Sequence, residues 1–394
     1  MTKRTTLCIL VVVKRKLYSS IIDRLEASEA IVITGMRRVG KTTLIKQVYD
    51  DLTTSNKIFL DLENPINQKI FEETNYDAIK YKLETLGIDL SRRGYVFLDE
   101  IQFVRNLPSV VKYLSDHYQL KFFLTGSSSF YLKNLFSESM AGRKIIYELF
   151  PLDFEEFLEL KGSKLVIPKQ TSEVTYLVLI PLYKEFVEFG GFPGVVVKQS
   201  MEEKREALHE IFTTYFNKEV LSIGGFRNNQ VVRDLMLLLI NRIGSKIDAQ
   251  KLSRELGVTR VTINEYLAFL EGTYFISLIS PYSTNSDVEI RSAKKVYLCD
   301  SGLVNNLGNV PFGAVFENAI YHQLRLKGEV KYYQRKSGVE IDFITGEDAF
   351  EVKTKGSDYD LKRLRRIIKT LPVRKANVIS FEYSTSPVVY GFQV

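Results

Sequence analysis

Between residues 30 and 150, short runs of β-branched and aromatic residues alternate with stretches of helical periodicity; the runs cover 30–34, 57–62, 95–98, 121–124 and 144–149. Strands separated by helices imply a parallel sheet covered on both faces. From 151 to 230 the texture changes. Helical periodicity over 154–161 and 180–189 gives way to the breaker cluster Gly190-Gly191-Phe192-Pro193-Gly194, and a further helix is predicted over 202–221. That stretch suits a small helical lid. Asp248 and Thr259 are placed to cap two successive helices, with Gly257 ending the first. A strand-like run over 274–279 follows, which is the order of a winged helix. A mixed α/β segment closes the chain. The domain boundaries read from these shifts are an arm over 1–29, a sheet core over 30–150, a lid over 151–230, a winged helix over 231–283 and an α/β domain over 284–394.

Composition narrows the class. With 394 residues, 45% hydrophobic and 26% charged, the chain can fill more than one core, so a peptide-sized scaffold and a disordered chain are excluded. Its 54 Lys and Arg against 47 acids give a charge of +7, which suits an anionic partner without choosing among nucleotide, nucleic acid and membrane surface. Cys8 and Cys299 are too far apart for a compact disulfide framework, and no Cys-x-x-Cys or His-Glu-x-x-His pattern points to zinc. The apolar run over 7–13 is far shorter than the roughly 20 residues of a membrane span and has no small-residue cleavage site. It reads as an extra strand or a loosely packed arm, and a cytoplasmic location with no membrane partner is expected.

Gly35-Met36-Arg37-Arg38-Val39-Gly40-Lys41-Thr42 fits the phosphate-loop pattern and lies directly between the predicted strand and an amphipathic run. The glycines let the backbone curl so that amides converge on phosphate oxygens, and the following helix adds positive partial charge at its start. Residues 35, 37 to 43 would cradle the nucleotide: Gly35, Arg37, Arg38, Val39, Gly40, Lys41, Thr42 and Thr43. Lys41 would reach the β- and γ-phosphates of ATP, and the Thr42 hydroxyl would ligate Mg²⁺.

A second element is the apolar strand ending in Asp99-Glu100. The pleat is often lost at a strand's carboxyl end, so both acids can face the crevice. Asp99 would hold hydrated Mg²⁺ and Glu100 would polarise the attacking water. A third strand ends in Thr125-Gly126-Ser127-Ser128-Ser129, whose hydroxyls are placed to sense the γ-phosphate or position water. Arg143 precedes the next strand. It either neutralises transition-state charge, in its own subunit or a neighbour's, or pairs with a surface acid.

Residues 34–43, 97–102, 124–129, 141–143 and 150–157 resemble the AAA+ related ATPases of archaeal and bacterial type that carry a nuclease-like carboxyl-terminal domain, and the resemblance runs from about residue 20 to residue 390. It implies an extra strand between the phosphate-loop strand and the Asp-Glu strand. It also implies that Lys41, Thr42, Asp99, Glu100 and Ser127 are the working residues.

In the last segment, 339–344 alternates, turns through 345–348 and returns as 349–353. Period two puts Glu340 and Asp342 on one face and Glu351 and Lys353 on one face, with Val339, Ile341, Phe343, Phe350 and Val352 opposite. Asp342 and Glu351 could then share one Mg²⁺, with Lys353 stabilising a developing phosphate charge and Glu317, on an upstream helix, as a further ligand. This arrangement is similar to the restriction-endonuclease-like fold, whose signature is an Asp followed by Glu-x-Lys on a hairpin. Residues 353–375 hold nine Lys or Arg against two acids, which is either a phosphate-backbone track or the wet side of a helix. In the winged helix, Arg260 is one base-reading candidate without a basic stripe around it.

The expected fold is therefore α/β: a P-loop NTPase parallel sheet with a helical lid, a winged-helix domain and a carboxyl-terminal restriction-endonuclease-like α/β domain. The expected function is Mg²⁺-dependent ATP binding and hydrolysis driving conformational change in a DNA-associated protein, with a homo-oligomer or a protein partner also compatible. The rival is a nucleotide-operated DNA- or protein-binding switch without nuclease activity.

Overall fold

Strands β1 (Ala30–Thr34), β2 (Lys57–Asp61), β3 (Gly94–Asp99), β4 (Leu120–Gly126) and β5 (Lys144–Glu148) form one sheet in the order β2-β3-β4-β1-β5, with every pairing parallel. This computed structural model describes residues 13–127, 140, 142–283, 289, 291–335 and 337–394. Most of the apolar run over 7–13, the hydroxyls of Ser128 and Ser129, and Ala141 lie outside the described residues.

β1, β3 and β4 are buried along their whole length, as central strands covered on both faces must be. Alternation divides their side chains. Ile31, Ile33, Phe97 and Phe123 pack with Leu44, Ile45 and Val48 of helix α2 (Lys41–Asp51), whereas Val32, Val96, Leu98, Phe122 and Leu124 pack with Val110, Val111 and Leu114 further on. Phe59, Phe97 and Phe123 stack across three strands with centroids 6.4 and 4.5 Å apart. The extra strand implied between the phosphate-loop strand and the Asp-Glu strand is β4, which pairs with both.

Ahead of β1, the expected arm is in part a helix, α1 (Leu17–Ile22), whose Ile21 is buried in the core. Arg15 holds it down through the carbonyls of Val39 and Phe150 and the carboxylate of Glu156.

The lid begins with a helix at Phe154–Leu160 closed by a capping box of Asp153 and Glu156. Its long helix runs over Glu173–Phe189, seven residues longer at the start than the sequence pattern indicates, because Ser172 caps it and Pro181 is accommodated inside it. Gly190 (φ 75°) then has no room for a side chain: a Cβ there would stand 1.9 Å from Asp300 Oδ1. A one-turn helix at Pro193–Val196 and a long one at Met201–Tyr215 follow, and the chain continues as a π-helical stretch, Phe216–Leu221.

The two helices expected in a winged helix have the predicted caps. Asp248 caps Ala249–Leu256, Gly257 ends it in the left-handed region and Thr259 caps Arg260–Gly272. Val261, in the first turn of the second helix, is 67% exposed. Strand β6 (Ile276–Ile279) pairs antiparallel with β7 (Lys295–Leu298), across the expected boundary at residue 283.

The last unit is a helix at Phe312–Leu324, strands β8 (Lys331–Gln334), β9 (Glu340–Thr345) and β10 (Asp348–Lys353), a helix at Asp358–Ile368, and strands β11 (Lys375–Ser380) and β12 (Val389–Tyr390), in a mixed sheet ordered β12-β11-β10-β9-β8. The predicted hairpin is β9 and β10, turning at Gly346. Strict alternation does not hold along β9. A register shift against β8 sends Ile341 into the core with Leu364 and Ile367, while Phe343 joins the larger core that runs through the lid. Among the described residues no helix is long and apolar enough to cross a membrane.

Candidate nucleotide site and a carboxyl-terminal acidic cluster

β1 delivers the chain to Gly35, where a Cβ would stand 2.1 Å from Leu149 O, so only glycine lets the loop pass beside β5. Gly40 (φ 100°) is the cap residue of α2, and no side chain caps the amides of that helix's first turn. Arg38 also lies at positive φ, 66°. The loop is thus curled at a helix amino terminus, the arrangement in which backbone amides gather an anion.

Lys41 is buried, its Nζ folded back onto the carbonyls of Gly35 (2.8 Å) and Met36 (2.9 Å). Burial pushes its pKa down, opposed mainly by the charge of Glu100. Thr42 Oγ1 donates to Asp99 Oδ2 at 2.7 Å, and Thr125 bonds the other oxygen of that carboxylate. Burial raises the Asp99 pKa against these hydroxyl bonds. A hydroxyl and a carboxylate side by side are hard oxygen donors of the kind that hold Mg²⁺ together with substrate phosphates, so the residues present fit that ion.

β3 ends at Asp99, and Glu100 drops into the left-handed region (φ 55°, ψ 51°), a strained conformation for a non-glycine residue. Both acids therefore leave the pleat on the same edge of the sheet. Glu100 Oε2 accepts from Gln102 Nε2 at 2.6 Å, and the same nitrogen reaches Ser127 Oγ at 3.2 Å.

Both loop arginines turn toward the lid. Arg37 Nε donates to Glu219 Oε1 at 2.7 Å and its Nη1 stands 3.5 Å from Glu100 Oε1. Arg38 pairs with Glu210 at 2.6 Å. Val39 is buried and Thr43 exposed. Arg143 is not brought to this site. Its carbonyl accepts from Ala30 N at the start of β1, which places it on the opposite edge of the sheet, and its Nε pairs with Asp116 at 2.9 Å. The surface-pair alternative is the one observed within the chain. Gln102 and Glu219 were not singled out by the sequence; Gln102 carried a signal, as the third residue of Glu100-x-Gln.

The second cluster lies where β9 and β10 part. Their paired register ends at Phe343 with Phe350, and beyond it the Asp342 carboxylate takes the Val352 amide at 2.8 Å. Glu351 is buried; its Oε1 binds Lys353 Nζ and Arg363 Nη2, each at 2.7 Å, and its Oε2 has no partner. Glu317 accepts from Tyr297 at 2.6 Å, and Lys295, reaching in from β7, pairs with Glu340 and stands 4.0 Å from Glu317. Burial, with Asp342 close by, pushes Glu317 up to about 7, and burial also raises Asp342 and Glu351. Glu317, Asp342 and Glu351 do not assemble into the expected metal centre. Among the described residues no group of three or more His, Cys, Asp or Glu is arranged to hold a metal ion. One Glu351 oxygen is held by Lys353 and Arg363, Asp342 by a backbone amide and Glu317 by the Tyr297 hydroxyl.

The chain is 27% identical over 370 residues to an uncharacterized protein, MJ1544, of Methanocaldococcus jannaschii, covering 90% of this chain and 82% of that one. It is 25% identical over 326 residues to an uncharacterized protein of Haemophilus influenzae, covering 79% and 78%. Among solved structures, the Aeropyrum pernix ORC1 protein in complex with DNA overlaps 81% of this chain and 97% of its own at 12% identity and a TM-score of 0.36, a loose likeness of chain path on which nothing functional rests. Residues 180–312 match a model described as a domain of unknown function, DUF8612. Residues 27–158 match the model described as AAA domain, so this part of the chain, with its parallel sheet and phosphate loop, is an AAA domain of the P-loop ATPase kind.

Proposed function

We propose that the chain is a Mg²⁺-dependent ATPase whose nucleotide state shifts the lid and winged helix against the carboxyl-terminal domain, in association with DNA. One observation carries the ATPase reading: the curled 35–42 loop sets Lys41 and the Thr42–Asp99 pair together on one edge of the parallel sheet. In this reading Lys41 leaves the two carbonyls to meet the β- and γ-phosphates, and Thr42 and Asp99 hold the ion. Mg²⁺, when bound, neutralises charge on the phosphate oxygens. Glu100 orients and deprotonates the attacking water, while Gln102 ties its carboxylate to Ser127.

For the last unit, the order helix, three strands, helix, strand, with Asp342 on β9 and Glu351-x-Lys353 on β10, supports a restriction-endonuclease-like fold. The exposed Arg365, Arg366 and Lys369 beside it suit a nucleic-acid backbone. A second reading, a nucleotide-operated DNA- or protein-binding switch without cleavage, is favoured by the cations already seated on Glu317, Glu340 and Glu351.

Turnover and nucleotide binding measured on Glu100→Gln test the first proposal: binding is retained and hydrolysis falls by about 10²-fold or more. Unchanged turnover would remove Glu100 as the base. Plasmid incubated with Mg²⁺ separates the two readings of the last unit. Cleavage that vanishes in both Asp342→Ala and Glu351→Ala supports a nuclease, and no cleavage by the wild type supports the switch.

A further inference from the structure

An acid from the lid ends beside the phosphate loop. Glu219 belongs to the π-helical stretch 216–221, and its side chain is 1% exposed. Wide turns of this kind are rare and cost stability, and they recur where a side chain must be delivered to a site. This one is locked, since the amides of Ile223 and Gly224 both bond back to the Glu219 carbonyl.

The Glu219 carboxylate spends one oxygen on Arg37 Nε, at 2.7 Å. Its other oxygen is buried without a partner, and so is Nη2 of Arg37, whose Nη1 stands 3.5 Å from Glu100. A guanidinium is a rigid plane, so fixing its Nε edge on Glu219 fixes where the remaining N–H groups point. A buried N–H that lacks an acceptor marks a place where a ligand oxygen belongs. Arg37 and Gln102 line the same cavity, of about 630 Å³, together with Lys218 of the lid. Arg143 stands on the opposite edge of the sheet from this cavity.

We infer that Arg37 contacts a terminal phosphate oxygen of bound ATP, and that Glu219 is the positioning residue that aims it, so that the placement of the lid governs hydrolysis. This rests on the reading of the 35–42 loop and Glu100 given above. Without Glu219 the guanidinium swings onto Glu100 and ties up the base; with it, one plane serves phosphate and base together.

The test uses the full chain as wild type, Glu219→Gln, Arg37→Gln and the double variant. Steady-state ATP hydrolysis in Mg²⁺ is read beside binding of fluorescent ATP and ADP analogues, and melting temperatures report folding. Each single substitution lowers kcat by about 10²-fold, with KM moving by no more than about threefold for Glu219→Gln. The double variant is no slower than the slower single, because both remove one arrangement. Glu219→Asp restores part of the rate and Arg37→Lys, which keeps charge but not the fork, does not. Losses that multiply in the double variant, or a Glu219→Gln enzyme with wild-type kcat, overturn the proposal. A wild type that binds ATP without hydrolysing it sinks the reading of Glu100 instead. The preference for the ATP over the ADP analogue then decides: its loss in Arg37→Gln supports the Arg37 contact, and its persistence overturns it.

Discussion

The two acidic sites of this chain are built on opposite terms. At the phosphate loop, Asp99 is held by the hydroxyls of Thr42 and Thr125, neutral groups that orient a carboxylate without cancelling its charge. In the carboxyl-terminal cluster two of the four carboxylates are met directly by cations, Lys295 on Glu340 and Lys353 with Arg363 on Glu351, while Asp342 takes a backbone amide and Glu317 the Tyr297 hydroxyl. Hydroxyl partners leave an acid ready for an incoming metal ion, whereas ammonium and guanidinium partners must first be displaced or moved aside. The same residue types are thus held by hydroxyls in one region and in part by the chain's own cations in the other.

The comparison can be attacked first at its stronger end. Lys41→Ala removes the buried ammonium proposed to meet the phosphates, and binding of ATP should fall by about 10²-fold or more in calorimetry; undiminished affinity would mean that the loop does not grip phosphate. Next, Lys295→Met strips the cluster of the cation shared by Glu340 and Glu317. Half-buried carboxylates left without it should cost about 2 kcal/mol in urea unfolding, with part of the loss restored by millimolar Mg²⁺. A variant as stable as wild type, indifferent to Mg²⁺, would show that the cluster is not held by Lys295. The smallest effect concerns Asp300, which accepts the amides of Gly191, Gly302 and Leu303 and is pushed up to about 6, chiefly by burial. Its folded form keeps a proton that the unfolded chain has lost, so its contribution is full below about pH 4 and disappears as pH rises through about 6. Urea titrations across that window should lose a slope of at most about 1.4 kcal/mol per pH unit in Asp300→Asn relative to wild type.

How much of this was legible in the sequence follows from how local each feature is. The phosphate loop is one contiguous strand, turn and helix, so its eight residues carry their own context. The caps at Asp248, Thr259 and Gly257 were readable for the same reason. Glu219 was not. It lies 182 residues from Arg37, and Phe216–Leu221 looks like the tail of an ordinary amphipathic helix. Arg143 could have been placed better from the sequence alone. A residue just before a parallel strand lies on the edge opposite one just after its neighbour, which is where Gly35 follows β1. The alternation of 339–344 correctly gave a hairpin, but period two knows nothing of a register shift against β8 or of a lysine arriving from β7. Spacing brought the acids near one another; only packing decided which charges lay between them.

The larger apolar core runs without interruption from the α2 face of the sheet, through Phe154, Tyr183 and Phe186 of the lid, into Phe275 just ahead of β6 and Phe316 and Phe392 near the carboxyl terminus. A jaw needs a seam, and among the described residues this larger core has none between the sheet face and the carboxyl-terminal unit. On the proposed function, exchange of nucleotide is then felt as shear, packed helices slipping past one another by about 1–2 Å, a stroke matched in length to the reach of a single hydrogen bond rather than to the opening of a cleft.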